Sequence, residues 1–212
     1  MPELPEAEVA ARQLRERVVG ATVRDCWIGR EDIVREGLPS LEQYRQAKIT
    51  GVERKGKSVI LHFLCGKEPR FLVAELGMTG LLLFRSTLTK HPQHTHFILH
   101  LDGCCEPDIR YWNPRRFGRL SLLDWAGLDR YVARRFGHDP LTISHEQFLR
   151  VLRATRSRLK SLLMRQQVIA GIGNIYANEI LFRSRLHPNQ PSNSIPGKSI
   201  TRLHQVMGEV LR

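Results

Sequence analysis

Residues 170–182, AGIGNIYANEILF, predict a glycine-rich turn that leads into a helix, with Asn174 at the N-cap of that helix. The preceding stretch RLKSLLMRQQ (158–167) has helical periodicity, so the two segments together predict a helix-turn-helix of the kind that docks on DNA. The backbone N–H groups at the helix start and the Asn174 amide are suited to holding a phosphate. A helix C-cap followed by an N-cap explains the same residues without any ligand.

The chain around this segment is helical and strongly basic. Helical periodicity also marks GLDRYVARRFG (127–137), SHEQFLRVLRAT (144–155) and SITRLHQVMGEVLR (199–212), with a Pro/Asn/Ser loop at 187–199. The net charge is +12, and residues 156–212 hold nine basic but only two acidic side chains. Nucleic acid is the natural partner of such a surface, because each neutralised phosphate releases counterions. A basic surface that merely keeps the protein in solution is the alternative.

The N-terminal part of the chain has a different pattern. Residues 5–19 predict an amphipathic helix with Val9, Leu14 and Val18 on one stripe. Short segments rich in branched and aromatic residues follow, namely ATVRDCWIG, ITGVERKGKSVILHFLC, RFLVAELGMTGLLLF, THFILHLDG and DIRYWN. The predicted fold class is therefore α+β, with an N-terminal antiparallel β-sandwich and its leading helix (1–125) followed by a helical DNA-binding domain (126–212).

Composition excludes several classes of protein. The chain has 212 residues, of which 42% are hydrophobic and 25% charged, as in ordinary globular proteins. Its cysteines form no C-x-x-C pair and have no histidine at zinc-finger spacing, so neither a disulfide framework nor a metal site is expected. No apolar run approaches the ~18 residues of a membrane span, and no signal-peptide pattern is present. The sequence predicts a cytoplasmic protein that contains no metal or other cofactor.

The first eight residues, MPELPEAE, place Pro2, Glu3 and Glu6 together. If Met1 is removed, the Pro2 nitrogen becomes a secondary amine, and terminal amines have a pKa of about 7.7–8, against about 10.4 for lysine. An unprotonated amine can attack a sugar C1′ and form an iminium, while a neighbouring carboxyl group moves protons. Proline and glutamate are also favoured near helix N-termini for purely structural reasons.

Three further segments carry candidate residues. In ERKGKSVILHF (53–63), Lys57 stands at a strand end, where it could reach a phosphate or base or simply protect the strand from aggregation. NPRRFGR (113–119) and LGMTG (76–80) contribute Arg115, Phe117 and Met78. An enzyme that extrudes a nucleotide needs such side chains to fill the vacated stack and hold phosphates. Phe117 and Met78 also suit a hydrophobic core.

Read in order, MPELPE, RKGKSVIL, LGMTG, HTHF, NPRRFG, GHDPL and GIGNIYANEILF resemble the formamidopyrimidine-DNA glycosylase family, which includes the endonuclease VIII-type enzymes. The match covers nearly the whole chain. The resemblance implies a β-sandwich followed by a helix-two-turn-helix domain. It also implies a monomeric base-excision-repair enzyme that is both a DNA glycosylase and an AP lyase on duplex DNA. The leucine in MPELPE is more like the purine-lesion branch, so the implied substrates are 8-oxoguanine and formamidopyrimidine.

The resemblance also implies a role for individual residues. Pro2 would be the nucleophile, Glu3 the acid/base that helps to open the deoxyribose, and Glu6 a supporting carboxylate. The oxidised base would leave through a Schiff base with C1′, followed by β- and δ-elimination. Lys57 would contact the lesion strand. The implied gap-filling residues are Met78, Arg115 and Phe117, and the implied phosphate-binding residues are His94, Arg115, Lys160 and Asn174.

Three features depart from the family pattern. Arg165 stands where the family commonly has an aspartate, and HTHF (94–97) replaces Lys-His-Asp-His, with a longer hairpin after it. The family's C-terminal zinc finger, with the lesion-recognition loop before it, is expected to be missing, although full-length relatives bind one zinc. Fewer phosphate contacts predict weaker DNA binding. The alternatives are a catalytically impaired DNA-binding relic or truncated product of the same family, and an endonuclease VIII-like enzyme for oxidised pyrimidines.

Overall fold

A computed structural model describes residues 2–85 and 93–212. The chain divides into two compact units. The first comprises Pro2 and Glu6–Tyr131, and the second comprises Glu3–Pro5 and Val132–Arg212. The predicted boundary after residue 125 lies at the start of a helix, whereas the two units separate after Tyr131.

The leading helix, α1, spans Leu4–Val18. Its buried face consists of Ala7, Ala11, Leu14 and Val18, which recur at spacings of three and four residues. The prediction that Val9 shares this face is wrong, because Val9 is 51% exposed. Leu14 lies five positions after Val9, and at about 100° per residue this spacing places the two side chains about 140° apart around the helix.

The first unit is built on nine strands, which are β1 (Thr22–Ile28), β2 (Val34–Glu36), β3 (Lys48–Lys55), β4 (Ser58–Cys65), β5 (Glu68–Glu75), β6 (Leu81–Phe84), β7 (Thr95–Asp102), β8 (Asp108–Trp112) and β9 (Leu120–Leu123). Their order is β2-β9-β5-β4-β3-β1-β7-β8-β6. In the described part of the chain, all pairings are antiparallel except that of β2 with β9. The strands β2 and β9 were not expected, because VRE and LSLL are too short to show a strand period.

The sheet consists of two halves that share one core. Within the described residues, β1 and β3 pair only at Thr22 and Lys48, so this is where the two halves join. Both halves contribute apolar side chains to a single buried cluster, with Leu61 and Leu72 from one half and Phe97 and Tyr111 from the other. Two sheet layers that bury their inner faces against each other are the basis of a sandwich. The predicted α+β class is confirmed.

The second unit is helical. After α2 (Trp125–Arg135) come α3 (His145–Arg153), α4 (Leu159–Leu163), α5 (Asn174–Ser184) and α6 (Gly197–Leu211). Ser144 and Gln147 form a capping box at the start of α3, with bonds of 3.1 and 3.0 Å. Apolar residues of α3 to α6 form their own buried cluster, which Leu4 joins. No helix among the described residues is long and apolar enough to cross a membrane.

Candidate active site

The carboxylate of Glu3 occupies the N-terminus of α5. Glu3 is 0% exposed, and its Oε2 accepts hydrogen bonds from the backbone N–H groups of Gly173 at 2.7 Å and Tyr176 at 3.3 Å. Its Oε1 accepts from the N–H of Ile175 at 2.9 Å. The first N–H groups of a helix lack partners within the helix and carry partial positive charge, so a carboxylate is stabilised there. Glu3 therefore caps a helix that begins far away in sequence.

This arrangement corrects the prediction that Asn174 caps α5. The N-cap residue is Gly173, which makes no side-chain cap bond, and Asn174 is the first helical residue, with an exposed side chain. The prediction that the backbone N–H groups here hold a phosphate is also wrong for those that donate to Glu3. Local sequence could not reveal the cap, because the capping side chain comes from the other end of the chain. Phosphate binding by the Asn174 side chain stays a prediction.

The turn before α5 binds and packs against Leu4. The N–H of Leu4 donates to the carbonyl of Gly171 at 3.0 Å, and Gly171 has a φ of +111°. A Cβ at position 171 would lie 2.7 Å from the Leu4 side chain, so only glycine fits. Gln166 holds the same turn, since its amide donates to the carbonyls of Met164 and Ile172 and its side-chain oxygen accepts from the Gly171 N–H. Sequence analysis did not identify Gln166, because a lone glutamine between apolar residues gives no signal of these bonds.

Pro2 and Glu3 lie before the first helix. Because α1 begins at Leu4, neither residue takes part in a helical turn of α1. Pro2 is buried, whereas Glu6 is exposed in the first turn of α1. A helix start therefore explains the part of MPELPEAE from Leu4 onward. Glu3 has a structural role of its own as the cap of α5, and the helix start does not explain the buried Pro2.

Lys57 lies at the tip of the β3–β4 hairpin. Lys55 pairs with Ser58, which leaves Gly56 and Lys57 as the two turn residues, and Gly56 has a φ of +57°. Arg54 fixes this turn to α1, because its Nε donates to Glu8 Oε2 at 2.8 Å and its Nη1 donates more weakly to the Gly56 carbonyl at 3.4 Å. The Arg54 side chain is only 8% exposed. Arg54 and Glu8 are two residues that sequence analysis did not single out, since only the folded hairpin brings them together.

Met78 and Phe117 lie on two loops that touch through their backbones. A Cβ at Gly77, which has a φ of +60°, would lie 2.5 Å from the Gly118 nitrogen, so no side chain fits between the loops. Met78 is 36% and Phe117 56% exposed, which argues against a role of either residue in the core. The Arg115 guanidinium carbon lies 5.1 Å from the centre of the Phe117 ring, at cation–π distance. The fold thus leaves Met78 and Phe117 exposed on two adjoining loops, with the Arg115 guanidinium close to the Phe117 ring.

The two histidines of HTHF differ in their surroundings. His94 is exposed and has a φ of +73°, just before β7. His96 is buried, and its Nε2–H donates to the Asn113 carbonyl at 3.1 Å. Burial lowers the pKa of His96 below its usual value, which favours the neutral ring near neutral pH. A neutral, buried ring is a poor phosphate ligand, so the exposed His94 is the better candidate of the two.

The predicted phosphate ligand Lys160 lies in α4 and is half-buried. Its backbone N–H donates to the Pro188 carbonyl at 3.0 Å. Arg165, at the position where the family commonly has an aspartate, is exposed and donates to Ser157 Oγ at 3.2 Å. Except for Lys160, the basic residues of 156–212 are all exposed. Their positive charge therefore lies at the surface of the second unit, where a polyanion can reach it.

The cysteines do not form a metal site. Among residues 2–85 and 93–212, no group of three or more histidine, cysteine, aspartate or glutamate residues could hold a metal ion. All four thiols are free, and only Cys104 and Cys105 are neighbours in the chain. Burial raises the pKa of Cys26 to about 12, which makes that thiol unreactive near neutral pH. The described residues therefore do not fit the zinc that the family resemblance associates with full-length relatives.

Two family models match the chain. Residues 1–120 match the formamidopyrimidine-DNA glycosylase N-terminal domain, and residues 136–212 match the formamidopyrimidine-DNA glycosylase H2TH domain. The formamidopyrimidine-DNA glycosylase of Thermomicrobium roseum is 36% identical over 227 residues, which cover 100% of this chain and 77% of the relative. That of Thermus thermophilus is 37% identical over 216 residues, which cover 100% of this chain and 74% of the relative.

Solved structures agree with these matches. The Lactococcus lactis formamidopyrimidine-DNA glycosylase bound non-covalently to DNA with an AP site superposes with a TM-score of 0.87 at 27% identity, over 99% of this chain and 80% of that one. The wild-type Lactococcus lactis enzyme in complex with DNA that contains N7-benzyl-Fapy-dG gives the same TM-score and identity, over 99% of this chain and 77% of that one. The chain therefore belongs to the formamidopyrimidine-DNA glycosylase family.

Proposed function

We propose that this chain is a bifunctional DNA glycosylase and AP lyase of base-excision repair, which removes 8-oxoguanine and formamidopyrimidine from duplex DNA. It acts as a monomer in the bacterial cytoplasm and needs no metal for the chemistry. The observation that carries the proposal is the fixed position of Glu3, a buried carboxylate that follows Pro2 directly and accepts bonds from three backbone N–H groups. Such a group is held in place before substrate arrives, as a catalytic carboxylate must be.

The chemistry begins at the Pro2 nitrogen, after removal of Met1 converts it from an amide into an amine. The nitrogen forms a bond to C1′ of the damaged nucleotide, the bond from C1′ to the base breaks, and the departing base receives a proton. Glu3 then moves a proton to O4′, which opens the sugar ring and leaves an iminium between Pro2 and C1′. Glu6, in the first turn of α1, would be a second carboxylate that supports the proton transfers of Glu3.

The iminium makes the later steps possible because it withdraws electrons from C2′. Loss of a proton from C2′ expels the 3′-phosphate, and a second elimination expels the 5′-phosphate. Water finally attacks C1′ and returns Pro2 as an amine. No electrons are gained or lost overall, so no redox partner is needed.

Residues of the sheet unit would bind the lesion strand and fill the space left by the everted nucleotide. Lys57 contacts the lesion strand from a hairpin turn that Arg54 ties to α1. Met78 and Phe117 enter the space that the everted nucleotide leaves, and Arg115 holds the neighbouring phosphate. The exposure of Met78 and Phe117 supports this role, since burial in the core would have excluded it.

Residues of the helical unit would add affinity for DNA that does not depend on the base sequence of the DNA. Lys160 and the Asn174 side chain contact phosphates, together with His94 of the first unit. The exposed basic residues of 156–212 attract the DNA backbone at long range, so we expect binding to weaken steeply with salt.

Strand cleavage on duplexes that differ in one base tests the proposal. We expect incision of a duplex with a single 8-oxoguanine, much slower incision of one with thymine glycol, and none of the undamaged duplex. Preference for thymine glycol would instead assign the chain to the branch that acts on oxidised pyrimidines. Binding of all three duplexes without incision of any would overturn the enzymatic proposal and leave a DNA-binding relic.

A further inference from the structure

Asn113 lies at the centre of a hydrogen-bond network beneath the loops that carry Met78 and Phe117. It follows the last residue of β8 and is 0% exposed. Its side-chain Nδ2 donates to Tyr111 Oη at 3.0 Å and to the Gly118 carbonyl at 3.3 Å. Its Oδ1 accepts from Thr79 Oγ1 at 3.4 Å. One side chain therefore contacts the loop after Met78 and the loop after Phe117 at the same time.

The backbone of Asn113 extends the network to the start of β7. Its N–H donates to the His94 carbonyl at 3.0 Å, and its carbonyl accepts from His96 Nε2 at 3.1 Å and from the Arg116 N–H at 3.2 Å. Arg116 has a φ of +54°, an uncommon conformation for a residue with a side chain. The bond from its N–H to the Asn113 carbonyl helps to hold that turn in place, together with a bond from Arg119 Nη1 to the Arg116 carbonyl.

Tyr111 connects the network to the strand before the Met78 loop. Its hydroxyl accepts from Asn113 and donates to the Glu75 carbonyl at 2.6 Å. A Cβ at Gly118 would lie 2.1 Å from that carbonyl oxygen and 2.2 Å from the Tyr111 hydroxyl. The two loops are therefore packed backbone to backbone at this point, with no space for a side chain between them.

We propose that Asn113 is a positioning residue that fixes the spacing between Met78 and Phe117, so that both side chains enter the base stack as one rigid wedge. This inference rests on the proposed function. Met78 and Phe117 are too exposed to hold their own loops by burial, so the loops depend on the polar bonds beneath them. An amide suits this place because it donates twice and accepts once, which an apolar side chain of the same size cannot do.

A fluorescence experiment that needs no catalysis tests the inference. The probe is a duplex with a tetrahydrofuran abasic analogue opposite 2-aminopurine, whose fluorescence rises when it is unstacked. At saturating protein we expect a several-fold rise with the original chain, and with Asn113→Ala a rise less than one third as large. The affinity for the duplex should change less than threefold, because the phosphate contacts remain. Ser121→Ala is the matched control, since Ser121 is also buried in this unit and its hydroxyl has no hydrogen-bond partner among the described residues.

The fluorescence results distinguish the role of Asn113 from that of the wedge as a whole. An undiminished rise with Asn113→Ala would overturn the inference, and so would equal losses with Asn113→Ala and Ser121→Ala. If circular dichroism shows that Asn113→Ala does not fold, Tyr111→Phe replaces it, because that variant removes the hydroxyl bonded to Asn113 and keeps the ring. No rise with the original chain would overturn the wedge itself. The Pro2 chemistry is judged separately, since the tetrahydrofuran site has no base to remove and cannot form a Schiff base.

Discussion

The backbone N–H of Gly173 donates to Glu3 Oε2 at 2.7 Å, although the two residues stand 170 positions apart in the chain. With the bonds from Ile175 and Tyr176, this contact makes the second residue of the proposed catalytic pair the cap of a helix. The proposed catalytic geometry and the start of α5 therefore depend on the same side chain. This dependence can be measured.

We predict that Glu3→Gln lowers the free energy of unfolding by roughly 1–3 kcal/mol, the usual cost of leaving buried hydrogen-bonding groups badly matched. The amide NH2 of glutamine would face N–H donors and cannot accept from them. Urea unfolding followed by circular dichroism measures the effect. Glu16→Gln is the control, because Glu16 is exposed on the same N-terminal helix. Equal stability of the two variants would show that Glu3 does not cap α5.

The ion pair between Arg54 and Glu8 should show energetic coupling. A double-mutant cycle of Arg54→Met and Glu8→Gln is expected to give about 1–2 kcal/mol, within the range for residues in direct contact. The cycle of Arg24→Met and Asp102→Asn is the control, because both of those side chains are 57% exposed and exposed pairs contribute little. The two cycles should therefore differ clearly, and equal coupling would contradict this account of the hairpin.

The same Arg54→Met variant should also slow incision of an abasic site by about tenfold, since a small displacement of Lys57 away from the DNA is enough to cost that much. Single-turnover kinetics with protein in excess measures this rate. An unchanged rate would mean that the hairpin turn keeps its position without the bond to α1.

Phe117→Ala should separate activity from stability. Phe117 is 56% exposed, so its loss should change the free energy of unfolding by no more than about 0.5 kcal/mol. Excision of 8-oxoguanine should nevertheless fall at least about tenfold, because nothing fills the stack when the nucleotide is everted. Val9→Ala, which removes an exposed apolar side chain from α1, should leave both quantities unchanged. Parallel losses of stability and excision in Phe117→Ala would assign Phe117 to the core instead.

The neutral His96 should make stability depend on pH. Burial lowers its pKa, charges of Arg30, His94 and Arg116 lower it further, and the bond to the Asn113 carbonyl partly opposes this. A lowered pKa means that the unfolded chain binds the proton more tightly, so this contribution to stability is present above about pH 6.5 and is lost as the pH falls toward the folded pKa.

Urea midpoints measured from pH 8 to pH 5 for the original chain and for His96→Gln test this dependence. The difference between the two proteins should shrink as the pH falls, because only the original chain carries the buried imidazole. A difference that stays constant across this range would show that His96 is accessible to protons in the folded protein.

The sequence predicts features that local pattern carries. The strands around Val59 and Phe97 follow from branched and aromatic residues between turn signals, and their structure agrees with that expectation. Motif order identified the family, and the family models confirm it. The pattern does not predict the exposure of Val9, because helical geometry places Val9 away from the buried Leu14 and Val18.

Features created by distant parts of the chain could not be predicted. The cap of α5 comes from Glu3, and the bond that holds the Lys57 turn comes from Glu8 by way of Arg54. The sequence does not indicate a role for Asn113, because a buried asparagine acquires one only when Thr79, Tyr111 and Gly118 surround it. In each case a short motif marks the place, and tertiary contacts decide what the residues there do.

The central claim is that the Pro2 nitrogen is the nucleophile, and borohydride trapping tests it most directly. The protein is incubated with a duplex that contains one abasic site, in low salt and in the presence of sodium borohydride, which delivers hydride to C1′ of the iminium and leaves a stable amine. Mass spectrometry of the digested adduct should place the sugar on a peptide that begins at Pro2 and lacks Met1. Absence of an adduct, or an adduct on a lysine such as Lys57 with Met1 still present, would contradict the account.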